Sequence, residues 1–220
     1  MCGIVGIYLK NKKLNKDLGK LLTGMMNNMA TRGPDSAGFA IYSPEKKNRY
    51  KYSVCFSETS AKEIKSQIIK KIKDAKIKVI ADHLIIETTL APAKVLDIIK
   101  TLKNLSLVGY GNSIEIFKQV GNPKDVVKNF NLEKFSGTHA IGHTRMATES
   151  AITTDGSHPY STGKDECLVH NGSLSNHNNL RRTLKKRGIE IRSQNDTEVA
   201  AGYISSCLLY TSPSPRDVST

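Results

Sequence analysis

Between residues 49 and 110 the apolar pattern switches repeatedly between the period of two expected of a strand and the period near 3.6 expected of a helix. Residues 50–56 read as a strand and 61–72 as a lysine-rich helix. Residues 76–80 and 84–89 read as strands, 93–102 as a helix and 105–108 as a strand. The resulting order, β-α-β-β-α-β, leaves few ways to bury both helices on one sheet.

That order is the ferredoxin-like split unit, and it predicts an inserted subdomain over 49–110. The flanking chain reads differently. Gly3-Ile4-Val5-Gly6-Ile7-Tyr8-Leu9 is a short apolar run suited to a buried strand. Leu18, Leu21, Leu22, Met25, Met26 and Met29 recur at helical spacing, and Arg32-Gly33-Pro34 stops that helix. Residues 39–42 look like the next strand. Beyond the insertion, 113–120, 139–144 and 167–170 read as strands and 123–129 as a short helix. Residues 176–186 suit a helix with Ser175 as its cap. Asn195 with Glu198 makes a capping-box-like start to a last helix, with Ala200, Tyr203, Ile204 and Cys207 on one face. From Tyr210 the periodicity is lost, and Pro213 and Pro215 end any helix.

A chain of 220 residues suggests one domain, or one domain carrying an insertion. Its 38% of hydrophobic residues suffices for a soluble core, and no apolar run approaches the ~20 residues of a membrane span. No basic stretch followed by an apolar core marks a secretory signal. Cys2, Cys55, Cys167 and Cys207 lie far apart with no CxxC spacing, which suits reduced thiols in a cytoplasm. The net charge of +13 comes mostly from lysine, thickest between Lys62 and Lys78, where Glu63 and Asp74 are interspersed. With aromatics at 6% and no RNP-like or zinc-finger pattern, the lysines read as a solvated helical face rather than a nucleic-acid footprint.

The chemistry begins at Met1-Cys2-Gly3. Cysteine is small enough for Met1 to be trimmed, which leaves Cys2 with a free α-amine. An N-terminal amine titrates at about 7.7–8.0, so a useful minority is neutral near pH 7 and can take the proton of the thiol on the same residue. A lone Met-Cys start is more often a small buried residue than a nucleophile. Four further segments outweigh that. They are Thr31-Arg32-Gly33-Pro34-Asp35-Ser36-Ala37-Gly38, then Gly142-His143-Thr144-Arg145-Met146-Ala147-Thr148-Glu149, then His158-Pro159 with Leu168-Val169-His170-Asn171-Gly172, and finally Asn195-Asp196-Thr197-Glu198.

In this order these segments resemble the class II glutamine amidotransferases, the glutaminase domains with an N-terminal nucleophile. The resemblance covers residues 1–45 and about 110–207. It implies an α+β fold, a four-layer αββα sandwich of the N-terminal-nucleophile hydrolase type, discontinuous over 1–48 and 111–209. It also implies roles. Arg145 grips the α-carboxylate of L-glutamine and Asp196 receives its α-ammonium. The Asn171 amide and the Gly172 N–H form an oxyanion hole, while Arg32, Thr148 and His158 shape the pocket. Individually each residue has a duller reading, since Arg145 suits a strand-end charge, Asp196 a helix cap and Asn171-Gly172 a type I′ turn. No cofactor is expected. No metal is expected either, because His139, His143, His158, His170 and His177 lack paired ligand spacing with Cys167 and no HExxH frame is present.

Within the family, the insertion before Gly142 and the runs 142–150, 167–180 and 195–201 are most similar to the stand-alone amidotransferase subunit of glutamate synthase-like and N-methylglutamate synthase complexes. An ammonia-using synthase subunit is then the expected partner. Met146 and Glu149 stand where hexosamine-forming relatives carry tryptophan and histidine. The family usually continues past the aspartate motif with further strands, so a truncated chain with a non-native tail over 210–220 is expected. Two rivals stay open, an N-terminal-nucleophile hydrolase of another amide and a basic binding module. Arg145 and Asp196, placed to hold both ends of an α-amino acid, count against the first.

Overall fold

The computed structural model describes residues 2–147 and 151–211, with 208–211 as backbone alone. In chain order the first elements are β1 (Gly3–Tyr8), α1 (Leu18–Asn28), β2 (Ser36–Tyr42), β3 (Tyr50–Phe56), α2 (Ala61–Lys71), β4 (Lys76–Ile80), β5 (His83–Thr88) and α3 (Pro92–Thr101). They are followed by β6 (Leu105–Gly111), β7 (Ile114–Val120), α4 (Pro123–Asn129), β8 (His139–Arg145), β9 (Tyr160–Gly163), β10 (Glu166–Leu168), α5 (His177–Lys186) and α6 (Asp196–Thr211).

A four-stranded antiparallel sheet, in the order β1-β8-β2-β7, positions everything else. Strand alternation gives it two unlike faces. On β8, Ala140 joins the core under α1, Gly142 leaves room for Met26 and the Thr144 hydroxyl donates to the Met29 carbonyl at 3.1 Å. Ile141, His143 and Arg145 point the other way. Leu18, Leu22 and Met26 form the buried row of α1, at the i, i+4 spacing that faces a sheet. Leu21, expected on the same stripe, lies at its flank and is 41% exposed. Phe39, Phe117, Phe130 and Phe135 meet in tilted and edge-to-face contacts beneath α4. Each such buried side chain contributes about 1.5–3 kcal/mol of transfer free energy.

The 49–110 segment forms a second antiparallel sheet, in the order β4-β5-β3-β6. Tyr52, Val54, Leu84 and Ile86 pack on one face against Ile64, Ile68, Val95 and Ile99 of α2 and α3. α2 starts where the Ser60 side chain accepts the Glu63 N–H at 3.2 Å, and Lys62, Lys65, Lys70 and Lys71 are all exposed. The opposite face meets the open edge of β7. There the Ile116 N–H donates to Ser53 Oγ at 2.9 Å and the Lys118 N–H to His83 Nε2 at 3.5 Å, which satisfies an edge that would otherwise invite pairing.

The far face of the first sheet carries the β9–β10 hairpin. Cys167 packs with Ala40 and Ile141, and Tyr42 Oη lies 3.5 Å from Cys167 Sγ. α6 packs on this hairpin and α5 on α6. The layers therefore run helix, strand, strand, helix. Several local expectations change here. β9 was not anticipated, and β10 ends at Leu168, so His170 stands in a loop. The residue preceding α5 is Asn176 rather than Ser175, and it makes no side-chain cap. Asn195 does cap α6, accepting the Thr197 N–H at 2.9 Å, but Glu198 reaches back to the N–H groups of Arg192 and Ser193. The face of α6 holding Tyr203 and Ile204 looks outward, at 47% and 37% exposure, because Val199, Gly202 and Ser206 are the buried row. Among the described residues no helix is long and apolar enough to cross a membrane.

Candidate active site

Among the described residues β1 pairs with β8 alone, and Gly3 lies opposite Thr144. A Cβ on Gly3 would stand 2.7 Å from Thr144 Oγ1 and 2.9 Å from Met29 Cβ, so only glycine lets the start of β1 come this close. This contact carries Cys2 to the end of β8, beside Arg145.

A second support comes from residues 33–36. A Cβ on Gly33 would fall 2.4 Å from the Thr144 carbonyl group, the Asp35 N–H donates to the Arg145 carbonyl at 3.0 Å, and the Asp35 carboxylate accepts the Ala147 N–H at 2.7 Å. These contacts fix the backbone around Arg145. The segment was legible as a motif, but this role was not. Arg32, expected to shape the pocket, is exposed and does not line it.

Cys2, Arg145, His158, Asn171, Gly172 and Asp196 line one cavity of about 580 Å³. They come from the start of β1, the end of β8, the loops flanking the β9–β10 hairpin and the start of α6. Thr148 lies outside the described residues. Arg145 is 4% exposed, with Nη1 donating to the Ala151 carbonyl at 3.2 Å. Asn171 Nδ2 donates to the Cys2 carbonyl at 3.1 Å, which uses one of its two N–H groups beside the thiol. The Cys2 thiol faces the Met146 carbonyl at 3.8 Å. Asp196 accepts the Leu174 N–H at 2.7 Å and the Thr197 hydroxyl at 3.3 Å. The cavity thus combines a thiol, an amide donor, a buried guanidinium and a carboxylate.

Of its lining residues, His158 stacks on His143, which lies behind the cavity wall. The His143 and His158 rings lie 4.0 Å apart. His143 Nε2 lies 3.0 Å from the His170 carbonyl and so carries the proton. His143 Nδ1 and both ring nitrogens of His158 have no hydrogen-bond partner among the described residues. Burial, reinforced by neighbouring positive charge, pushes His143 down to about 4 and His158 well below its ordinary value. Both rings are therefore neutral near pH 7. Because the folded values lie below the unfolded one, their stabilisation is complete above pH 6.5 and is lost as the pH falls, for His143 between 6.5 and about 4. His143 alone accounts for up to about 3 kcal/mol of that loss. Urea midpoints at pH 7, 5.5 and 4.5 should decline in turn, and a flat profile would contradict a neutral buried pair.

Arg181 on α5 also lines the cavity and donates to the Ser193 carbonyl at 2.7 Å. Nothing in its spacing set it apart from the neighbouring basic residues of that helix. Away from the cavity, Cys55, Asp82 and His83 hold metal-ligand atoms within 4.8 Å of one another. Asp82 and His83 are already bonded to each other at 2.8 Å, and Asp82 to Gln119 at 3.1 Å. Cys55 is simply the cross-strand neighbour of His83.

Comparison with known proteins bears on the family. The family described as "Glutamine amidotransferase domain" matches residues 131–206. The chain is 47% identical over 210 residues to the glutamine amidotransferase-like protein GlxB of Rhizobium meliloti, covering 93% of this chain and 69% of that protein. It is 30% identical over 219 residues to a putative glutamine amidotransferase of Methanothermobacter thermautotrophicus, covering 93% and 72%. A shorter match, 35% over 111 residues, joins 46% of the chain to 18% of a glutamine–fructose-6-phosphate aminotransferase (isomerizing) of Methanococcus maripaludis. The chain belongs to the glutamine amidotransferase family.

Proposed function

We propose that this chain performs the glutaminase half-reaction, releasing ammonia from L-glutamine for a synthase subunit of glutamate synthase-like type. One observation carries the reading. Cys2, Arg145, Asn171, Gly172 and Asp196, spread over most of the chain, line a single cavity.

With Met1 removed, the Cys2 amine takes the thiol proton and the thiolate attacks the side-chain amide carbon of glutamine. The Asn171 amide and the Gly172 N–H receive the oxyanion. The amine then returns its proton to the leaving nitrogen, ammonia departs, and a thioester to Cys2 remains. Water, deprotonated by the same amine, attacks the thioester, and glutamate leaves as the thiol is restored. Arg145 offers a fork to the α-carboxylate and Asp196 a carboxylate to the α-ammonium. His158, neutral in this wall, adds no charge to those of Arg145, Asp196 and Arg181. Thr148 and Arg32 are assigned to ordering the loop over bound glutamine.

In this reading 1–48 with 111–209 is the catalytic domain, an αββα sandwich of the N-terminal-nucleophile type working in the cytoplasm. Residues 49–110 are an inserted ferredoxin-like subdomain, whose strand order and helix placement support that description.

The test is labelling by the glutamine-analogue electrophile 6-diazo-5-oxo-norleucine, applied to chain lacking Met1 and read by peptide mass spectrometry. The expected result is one adduct, on Cys2, that excess glutamine suppresses. A folded chain that stays unlabelled, or is labelled elsewhere regardless of glutamine, would refute the proposal.

A further inference from the structure

The 49–110 unit lies outside the cavity, yet one side chain joins it to the cavity wall. Arg192 precedes the segment that ends in Asp196. Its Nη2 donates to the Leu107 carbonyl at 2.6 Å and its Nη1 to Ser106 Oγ, both on β6. Its own N–H donates to the Glu198 carboxylate at 2.9 Å, and the next N–H, of Ser193, donates to the other Glu198 oxygen. From Ser193 the bonding continues inward. Ser193 Oγ accepts the Asn195 N–H at 3.2 Å and lies 3.3 Å from Tyr160 Oη, and Asn195 Nδ2 donates to the Gly156 carbonyl at 3.1 Å. Gln194, Asn195, Asp196 and Thr197 then form one wall of the cavity.

Besides the Tyr160, Gly156 and Leu174 contacts, the segment 192–196 is therefore held by three elements: β6 through Arg192, α5 through Arg181, and the first turn of α6 through Glu198. Two of these belong to elements that themselves border the cavity. The third belongs to the 49–110 unit. A guanidinium fork suits this task because its donors are rigidly preorganised, and two acceptors fix its direction.

We propose that Arg192 is a positioning residue, through which the 49–110 unit sets the affinity of the cavity for glutamine by holding Asp196 in place. This rests on the assignment of the cavity to glutamine. Arg192 touches no substrate, so its removal weakens binding without removing a catalytic group. Its exposed position limits the effect to a few hydrogen bonds' worth.

The experiment measures glutamine binding by titration calorimetry in the full chain carrying Cys2→Ala, which cannot turn the ligand over. Adding Arg192→Ala should raise the Kd for glutamine about three- to tenfold, the effect of losing one or two partly exposed charge-assisted bonds. Arg192→Lys should recover part of that loss, since a point charge keeps one of the two contacts. Ser106→Ala, on the 49–110 unit, should weaken glutamine about twofold alone and add nothing to Arg192→Ala. With Cys2 intact, Arg192→Ala should raise KM while kcat stays within about twofold.

An unchanged Kd in Arg192→Ala, or additive effects of the two substitutions, would overturn the proposal while leaving the glutamine assignment intact. If the Cys2→Ala chain binds no glutamine, both fall. Should Arg192→Ala fail to fold, Ser106→Ala carries the test alone, and an unchanged Kd there has the same force.

Discussion

Cys2→Ala should lower glutaminase activity by about 10⁴-fold or more, the scale on which hydrolases lose rate with their covalent nucleophile. The substitution removes one sulfur atom from the edge of the cavity. The thiol's hydrogen bond to the Met146 carbonyl is long, 3.8 Å, and exposed, so little stability is lost with it. The Cys2 carbonyl still accepts the Asn171 amide, and the register of β1 on β8 does not involve the side chain. Thermal unfolding should therefore be nearly unchanged while glutamate release disappears. A variant that keeps a tenth of the activity would exclude a thioester at Cys2 and leave direct attack by water as the alternative.

Asn171→Ala should lower kcat by about 10²–10³-fold with little change in KM, as expected for an oxyanion donor worth about 3–4 kcal/mol in the transition state. The amide sits where this role requires, with one N–H on the Cys2 carbonyl and a second available beside the thiol. Losing the first bond also loosens Cys2, at a net cost of about 1 kcal/mol, so labelling by the diazo-ketone should slow as well. Steady-state kinetics separates the alternatives. A raised KM with unchanged kcat would place Asn171 in ground-state binding instead.

The sequence disclosed some of this architecture and hid the rest for identifiable reasons. Strands and helices with one buried face announced themselves, as with Ile64 and Ile68 among the lysines of α2, because burial leaves a periodic trace. The cavity residues were legible because they cluster in short polar segments at strand ends, where neither period explains them. Around Arg32 the sequence was less direct, because a motif gives neighbours along the chain, not direction. Its segment serves the site through Gly33 and Asp35, while Arg32 itself points to solvent. The outward face of α6 misled. Four apolar or small residues at helical spacing suggest a buried stripe, but the row holding Gly202 permits the closer approach and packs inward. The seal between the two sheets was invisible, since Ser53 and His83 gain meaning only once β7 lies beside them.

The pairing of β1 with β8 also orders events during synthesis. β1 is made well before the strand it must join, and Gly3 meets Thr144 only after the whole 49–110 unit has been translated. At about 5–20 residues per second, that wait is on the order of ten seconds. Contacts between segments so distant in sequence also form slowly, because loop closure precedes any gain from packing. Until then Cys2 has neither Arg145 nor Asn171 beside it. Aminopeptidase trimming can thus expose the amine early without creating an active hydrolase on the ribosome, and the 49–110 unit, whose own strands are close in sequence, can fold in the interval.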